Sequence, residues 1–407
     1  MNNLTARISS GRNSSRNPPE VPNETRSLQD RQSPMKEIRA LTGLRGVAAL
    51  VVFLAHTRDT LDTRGISLPL PTLFLRLFLM SGRQVDIFFV LSGFILAMIY
   101  QRWFANSAPA KSQWKFLQRR FARIYPLHAF MLILVLAFVL AAHAFHANTI
   151  NGLDRFTFST LPAQFLLVQA WGFLGGDPGP WNPPSWSVSI EALAYLLFPY
   201  YIWFTFKLQE RRPWIVFIAV AVCGFALNAT THWGLAGYAG IARGLSEFAL
   251  GCATIGFYNS PIAQRLQTVP GSLGALFALM VCFALTPDTG FVIGLFTAPL
   301  LLALCADNPP SRLFGCTPIY FLGEISFSIY LGHFLYSTIA YRLISVPWMR
   351  TGQIELIAGL CGIVVFVLLA ATLTYFAIER PGRDLLRGRN APPPPERVGN
   401  VQSTSGG

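Results

Sequence analysis

Arg45 and His56 stand eleven residues apart in "LTGLRGVAALVVFLAHT", a run otherwise apolar enough to cross a membrane. At about 100° per residue, that spacing returns the second side chain to within about 20° of the first, with an axial offset of about 16 Å. The two side chains share one helix face at different depths. Taken singly, Arg45 could snorkel to a headgroup and His56 could make an interhelical hydrogen bond. Ionisable groups inside apolar helices are costly, however, and mark functional pathways by default.

Other residues keep them company. In "SGRQVDIFFVLSGFILAMIY", Asp86 falls at a depth similar to His56, where a carboxylate could set an imidazole tautomer and stabilise the imidazolium. "KSQWKFLQRRFARIYPLH" holds Lys111, Lys115, Arg119, Arg120 and Arg123. Topology alone explains a basic loop, but Arg120 and Arg123 at i, i+3 form a forked pair suited to phosphate or pyrophosphate. A donor such as a coenzyme A thioester fits them. "GPWNPPSWSVSIEALAYLLFPYY" then offers Trp181, Trp186 and Glu191 at a helix start capped by Ser185. Aromatic faces and a carboxylate suit a sugar or polyol, although an aromatic belt with a cap would use the same residues. Arg243 and Glu247 read as a structural i, i+4 ion pair, and "FLGEISFSIYLGHF" adds Glu324 and His333.

These residues need a membrane bundle to hold them. Of 407 residues, 52% are hydrophobic and 13% charged, and the mean hydropathy is +0.44. That composition, with recurrent apolar runs of about twenty residues, reads as a polytopic all-α membrane protein. Ten spans are expected near residues 41–58, 83–101, 125–147, 187–206, 214–230, 237–257, 271–286, 291–306, 318–341 and 353–376. Residues 158–173 are treated as a re-entrant or interfacial segment. Most Lys and Arg then fall on one side, which places both termini in the cytoplasm. The net charge of +13 is explained by the same asymmetry and calls for no nucleic acid. Residues 1–35 read as a disordered tail with Met35 as a natural start, 36–381 as one membrane domain, and 382–407 as a disordered Pro-rich tail. The six cysteines lack metal or disulfide spacing, so no metal is implied.

"IRALTGLRGVAALVVFLAHT", "VDIFFVLSGFILA", "RRFARIYPLH", "PPSWSVSIEALAYLLFPY", "FLGEISFSIYLGH" and "YFAIERP" occur in an order that closely resembles the membrane O-acyltransferases of acyltransferase family 3. That family's Arg-to-His spacing falls on Arg45 and His56, its Arg-x-x-Arg on Arg120 and Arg123, and its Pro-x-Trp-Ser…Glu motif on Pro184, Trp186, Ser187 and Glu191. The resemblance implies a ten-helix domain moving acyl groups, often acetyl, from cytoplasmic acyl-CoA to hydroxyls of glycans or other acceptors at the outer face. No cofactor is permanently bound, and the protein is multi-pass in a cell membrane, the inner one in a Gram-negative bacterium. On this reading His56, oriented by Asp86 or Glu191, acts as base or acyl carrier. Arg45, Arg120 and Arg123 hold the donor, and Trp181, Trp186 and Ser187 meet the acceptor. The rivals are a proton-coupled secondary transporter using His56, Asp86, Glu191 and Glu247 as a relay, and a non-catalytic membrane receptor.

Overall fold

A computed structural model describes residues 38–68, 70–78, 82–105, 109–144, 156–172, 181–231, 237–285, 290–344 and 346–387. The described residues are helical and turn structure without strands. In chain order the helices are α1 (Arg39–Thr63), α2 (Thr72–Phe78), α3 (Arg83–Ala105), α4 (Pro109–Ala144), α5 (Leu161–Phe165), α6 (Ser185–Arg211), α7 (Pro213–Thr231) and α8 (Gly237–Thr254). After these come α9 (Pro261–Gln267), α10 (Val269–Leu285), α11 (Gly290–Ala303), α12 (Pro309–Gly315), α13 (Thr317–Glu324), α14 (Ser326–Leu343), α15 (Gln353–Thr374) and, after a π-helical turn at Tyr375–Glu379, α16 (Arg380–Arg387).

All ten apolar runs are helical, although six helices pass as spans by length and composition, or seven if the pair α9–α10, bent by 86°, counts as one. Helix α8 dilutes its hydropathy with Arg243 and Glu247, α11 is only 14 residues long, and residues 318–341 divide into α13 and α14. Large apolar side chains such as Phe204, Phe277 and Leu369 point outward, as a lipid-facing surface requires. The protein is a multi-pass helical membrane bundle. Residues 158–172 form a 3₁₀ turn, the five-residue α5 and tight turns, too short to span. Their backbone is satisfied from neighbouring elements. His128 contacts the Gln164 carbonyl at 2.8 Å, and the Ser189 hydroxyl donates to the Leu167 carbonyl at 2.8 Å. Residue 173, the whole of the tail expected at 1–35, residues 36–37, and residues 388–407 of the tail expected at 382–407 lie outside the described residues. Helix α16 runs to Arg387, past residue 382 where the tail was expected to begin. It docks on α4, with Gly382 against Pro126.

Two close helix approaches position the polar residues. A Cβ on Gly93 of α3 would come within 2.0 Å of the Phe248 carbonyl of α8, and one on Gly251 of α8 within 2.0 Å of the Val90 carbonyl. Only glycine lets these backbones touch, the usual device for helix association in lipid. On α1, Gly46 meets Gly323 of α13 in the same way, at 2.4 Å. Helix α4, at 36 residues, is about 54 Å long against a hydrocarbon core of about 30 Å. Arg119, Arg120 and Arg123 lie in its N-terminal half.

Candidate active site

Two adjoining cavities collect most of the polar residues, one toward each end of the bundle. The first, about 110 Å³, is lined by Arg45, Ser92, Arg120, Arg123, Ser187, Glu191, Tyr195 and Tyr330 among apolar side chains. The second, about 570 Å³, is lined by His56, Asp59, Asp86, Pro183, Pro184, Trp186, Arg243, Tyr330 and His333. Val85 and Tyr330 line both, so they form the partition.

In the smaller cavity the close approach of α1 and α13 fixes Arg45. Its Nε donates to Ser326 Oγ at 3.0 Å and a terminal nitrogen donates to the Gly323 carbonyl at 3.2 Å. Arg123 lies within electrostatic reach of Arg45, and Glu191, Glu324 and Glu379 partly offset the charge. Arg120 donates to Tyr100 Oη at 3.4 Å, while its Nε is buried without a hydrogen-bond partner. Glu191 accepts from Ser92 Oγ at 2.8 Å and from the Tyr195 hydroxyl. Ser187 Oγ and Tyr330 Oη are 2.7 Å apart, which ties α6 to α14 at the partition. Three guanidinium groups thus line one small chamber, a setting that favours an anion.

In the wider cavity His56 is half exposed, with a side-chain accessibility of 48%. Its imidazole stacks on His333, with centroids 5.3 Å apart and an interplanar angle of 11°. His333 is buried, and its Nδ1 lies 2.7 Å from the Tyr330 carbonyl. A carbonyl only accepts, so Nδ1 carries the proton and Nε2 is left with its lone pair. The carboxylate near His56 is Asp59, one turn along α1, with Nδ1 to Oδ2 at 4.0 Å.

The structure separates several residues that the sequence reading had joined. Asp86 lines the His56 cavity, but no hydrogen bond joins them. Its Oδ1 accepts from Arg243 Nε at 2.6 Å in a buried ion pair, and Arg243 also donates to the Gly82 carbonyl at 2.7 Å. Asp86 therefore anchors α3 to α8 rather than orienting His56, and Arg243 takes its close partner across the helix interface, with the fully buried Glu247 within electrostatic reach of both. Glu191 sits on the other side of the partition from His56. Trp181 lines neither cavity. It is 1% exposed, packs with Leu132, Val135 and Val139, and donates its indole N–H to Thr160 at 3.1 Å. Trp186 does line the wider cavity, beneath the Arg243 guanidinium at 5.7 Å. Ser187 lies in the smaller cavity and at the partition. The sequence reading flagged His333 without a role and did not single out Asp59 or Tyr330. Asp59 at i+3 from His56 was the one spacing signal available; the stacking of His333 is a tertiary contact.

Inside a multi-helix membrane bundle, an arginine-lined chamber and a histidine pair thus lie on either side of one partition. The sequence profile of the acyltransferase domain family matches residues 38–375, and the chain belongs to that family. It is an acyltransferase. It is similar to the acyltransferase MdmB of Streptomyces mycarofaciens, with 27% identity over 381 residues, 87% of this chain and 93% of that one. It is also similar to the O-acetyltransferase OatA of Staphylococcus aureus, with 27% identity over 74% of this chain and 52% of that one. The peptidoglycan O-acetyltransferase OatA of Listeria monocytogenes is 24% identical over 76% of this chain and 51% of its own. The chain thus spans nearly all of the first relative and about half the length of the other two. No solved structure matches it.

Proposed function

We propose that the protein is an O-acyltransferase taking an acyl group, acetyl in the first instance, from a cytoplasmic acyl-CoA and placing it on a hydroxyl of a glycan or other acceptor at the extracytoplasmic face. The observation that carries this reading is the pair of cavities meeting at Val85 and Tyr330, arginines in one and histidines in the other. Donor phosphates are held by Arg120 and Arg123, with Arg45 lining the path of the pantetheine arm. The thioester then reaches the level of His56, about 16 Å along α1 from Arg45. His56 takes the acceptor proton as general base, or carries the acyl group transiently. Stacking on His333 and the nearby Asp59 hold its ring. Trp186 offers the acceptor a face in the same cavity. The names of the relatives support O-acetyl transfer and, through the peptidoglycan O-acetyltransferase, a cell-envelope acceptor; the location that goes with this reading is a cell membrane, the inner one in a Gram-negative cell.

The experiment is transfer from labelled acetyl-CoA by the purified protein, with His56→Ala as the companion. Wild type is expected to transfer or hydrolyse acetyl, and the variant to insert and fold but lose turnover. Wild-type turnover in the variant would return His56 to a packing role, and a wild type inert to every acyl-CoA would leave the donor reading without support.

A further inference from the structure

Helix α16 adds positive charge to an already basic face. None of its residues is fully buried, and it lies along the N-terminal half of α4, with Gln118 of α4 donating to the Leu386 carbonyl at 3.4 Å. Arg387 lies within electrostatic reach of Arg383 and Arg120, and of Tyr100, to which Arg120 donates. Arg119 interacts with the same Tyr100 hydroxyl. Arg120 and Arg383 each bury an Nε without a hydrogen-bond partner, although that of Arg383 faces Asp384 and its guanidinium also interacts with Tyr375. Two carboxylates stand nearby. Asp384, 59% exposed, approaches Arg383 at 3.6 Å, and Glu379 accepts from Ser328 at 2.6 Å. Like charges converging with donors unspent are unfavourable in isolation, and the arrangement becomes favourable when an anion joins them.

We propose that Arg383 and Arg387, with Arg120, form a second phosphate site, which takes the 3′-phosphate of the donor's ribose. This rests on the acyl-CoA reading above and extends it to a helix that had been assigned to a tail. The order of groups along coenzyme A supports the assignment. With the pantetheine arm in the small cavity, the pyrophosphate follows at Arg120 and Arg123. The ribose phosphate comes next, outermost, where α16 lies.

The test uses the full-length protein in nanodiscs of phosphatidylcholine, titrated calorimetrically with coenzyme A and with 3′-dephospho-coenzyme A. Wild type is expected to favour coenzyme A by about tenfold or more, as one charge-assisted phosphate contact supplies. Arg383→Ala/Arg387→Ala should bind coenzyme A about as weakly as the dephospho form while its affinity for the dephospho form changes little. Arg387→Ala alone, from the more open of the two positions, should reproduce part of the loss if the double variant folds poorly. Removing the exposed Arg102 and Arg212 together should leave the preference intact. A double variant that still discriminates overturns the proposal. So does a wild type that binds both ligands equally, and in that case the donor reading survives. A wild type that binds neither ligand removes both. Repeating the titration in phosphatidylglycerol separates the other source of phosphate: if wild-type discrimination is absent in phosphatidylcholine and the double variant instead loses retention of the anionic lipid, the site belongs to headgroups and the proposal fails.

Discussion

The chemistry at single residues divides into side chains that face a cavity and side chains that hold helices. Asp86 and Arg243 belong to the second group. Arg243→Ala leaves Asp86 buried without its partner, so it should destabilise the protein by about 3–5 kcal/mol. Replacing both residues with apolar ones of similar volume should cost less than either single change, as read by thermal unfolding in detergent. Equal losses for the single and double changes would mean that the pair acts on something other than packing. The tryptophans separate in the same way. Trp186→Ala should raise KM for the acceptor while leaving donor binding alone. Trp181→Phe should cost about 1 kcal/mol of stability, the value of one hydrogen bond to Thr160, with no change in KM. A KM effect from Trp181 and none from Trp186 would reverse the assignment of the acceptor cavity.

Between elements, the determining feature is how near the backbones come. The α3–α8 contact at Gly93 and Gly251 aligns Asp86 with Arg243, and the α1–α13 contact at Gly46 and Gly323 places Arg45 on Ser326. A methyl at Gly93 would meet the Phe248 carbonyl, which cannot swing aside as a side chain could. Gly93→Ala should therefore cost about 1–3 kcal/mol or more and lower the yield of folded protein. Gly274 in α10 is the contrast, because nothing lies within 4 Å of its missing Cβ. There Gly274→Ala should raise stability by about 0.5–1 kcal/mol, since it trims backbone freedom in the unfolded chain and adds no clash. Comparing the two melting temperatures checks the argument: a stabilising Gly93→Ala would show that the helices are not as close as drawn.

For the whole molecule, the reading requires the two ends of α1 to lie on opposite sides of a membrane. In a cysteine-free background, a cysteine at position 113 should be labelled only from the cytoplasm and one at position 62 only from outside. Labelling of both from the same side would end the two-sided mechanism. The helical membrane bundle was legible in the chain, because apolar run length is a local property that a bilayer reads directly. The helical character of the apolar runs, and the short turns and five-residue helix found in place of a long helix over the described part of 158–173, followed from the run lengths alone. Pairings between helices did not. Arg243 and Glu247 are neighbours by periodicity, yet Arg243 takes Asp86 as its close partner, 157 positions away, because glycines bring α3 and α8 together. His333 reaches His56, and α16 reaches Arg120, for the same reason: contact across a bundle depends on which faces pack, and helical periodicity specifies only which residues share a face, never which face it will meet.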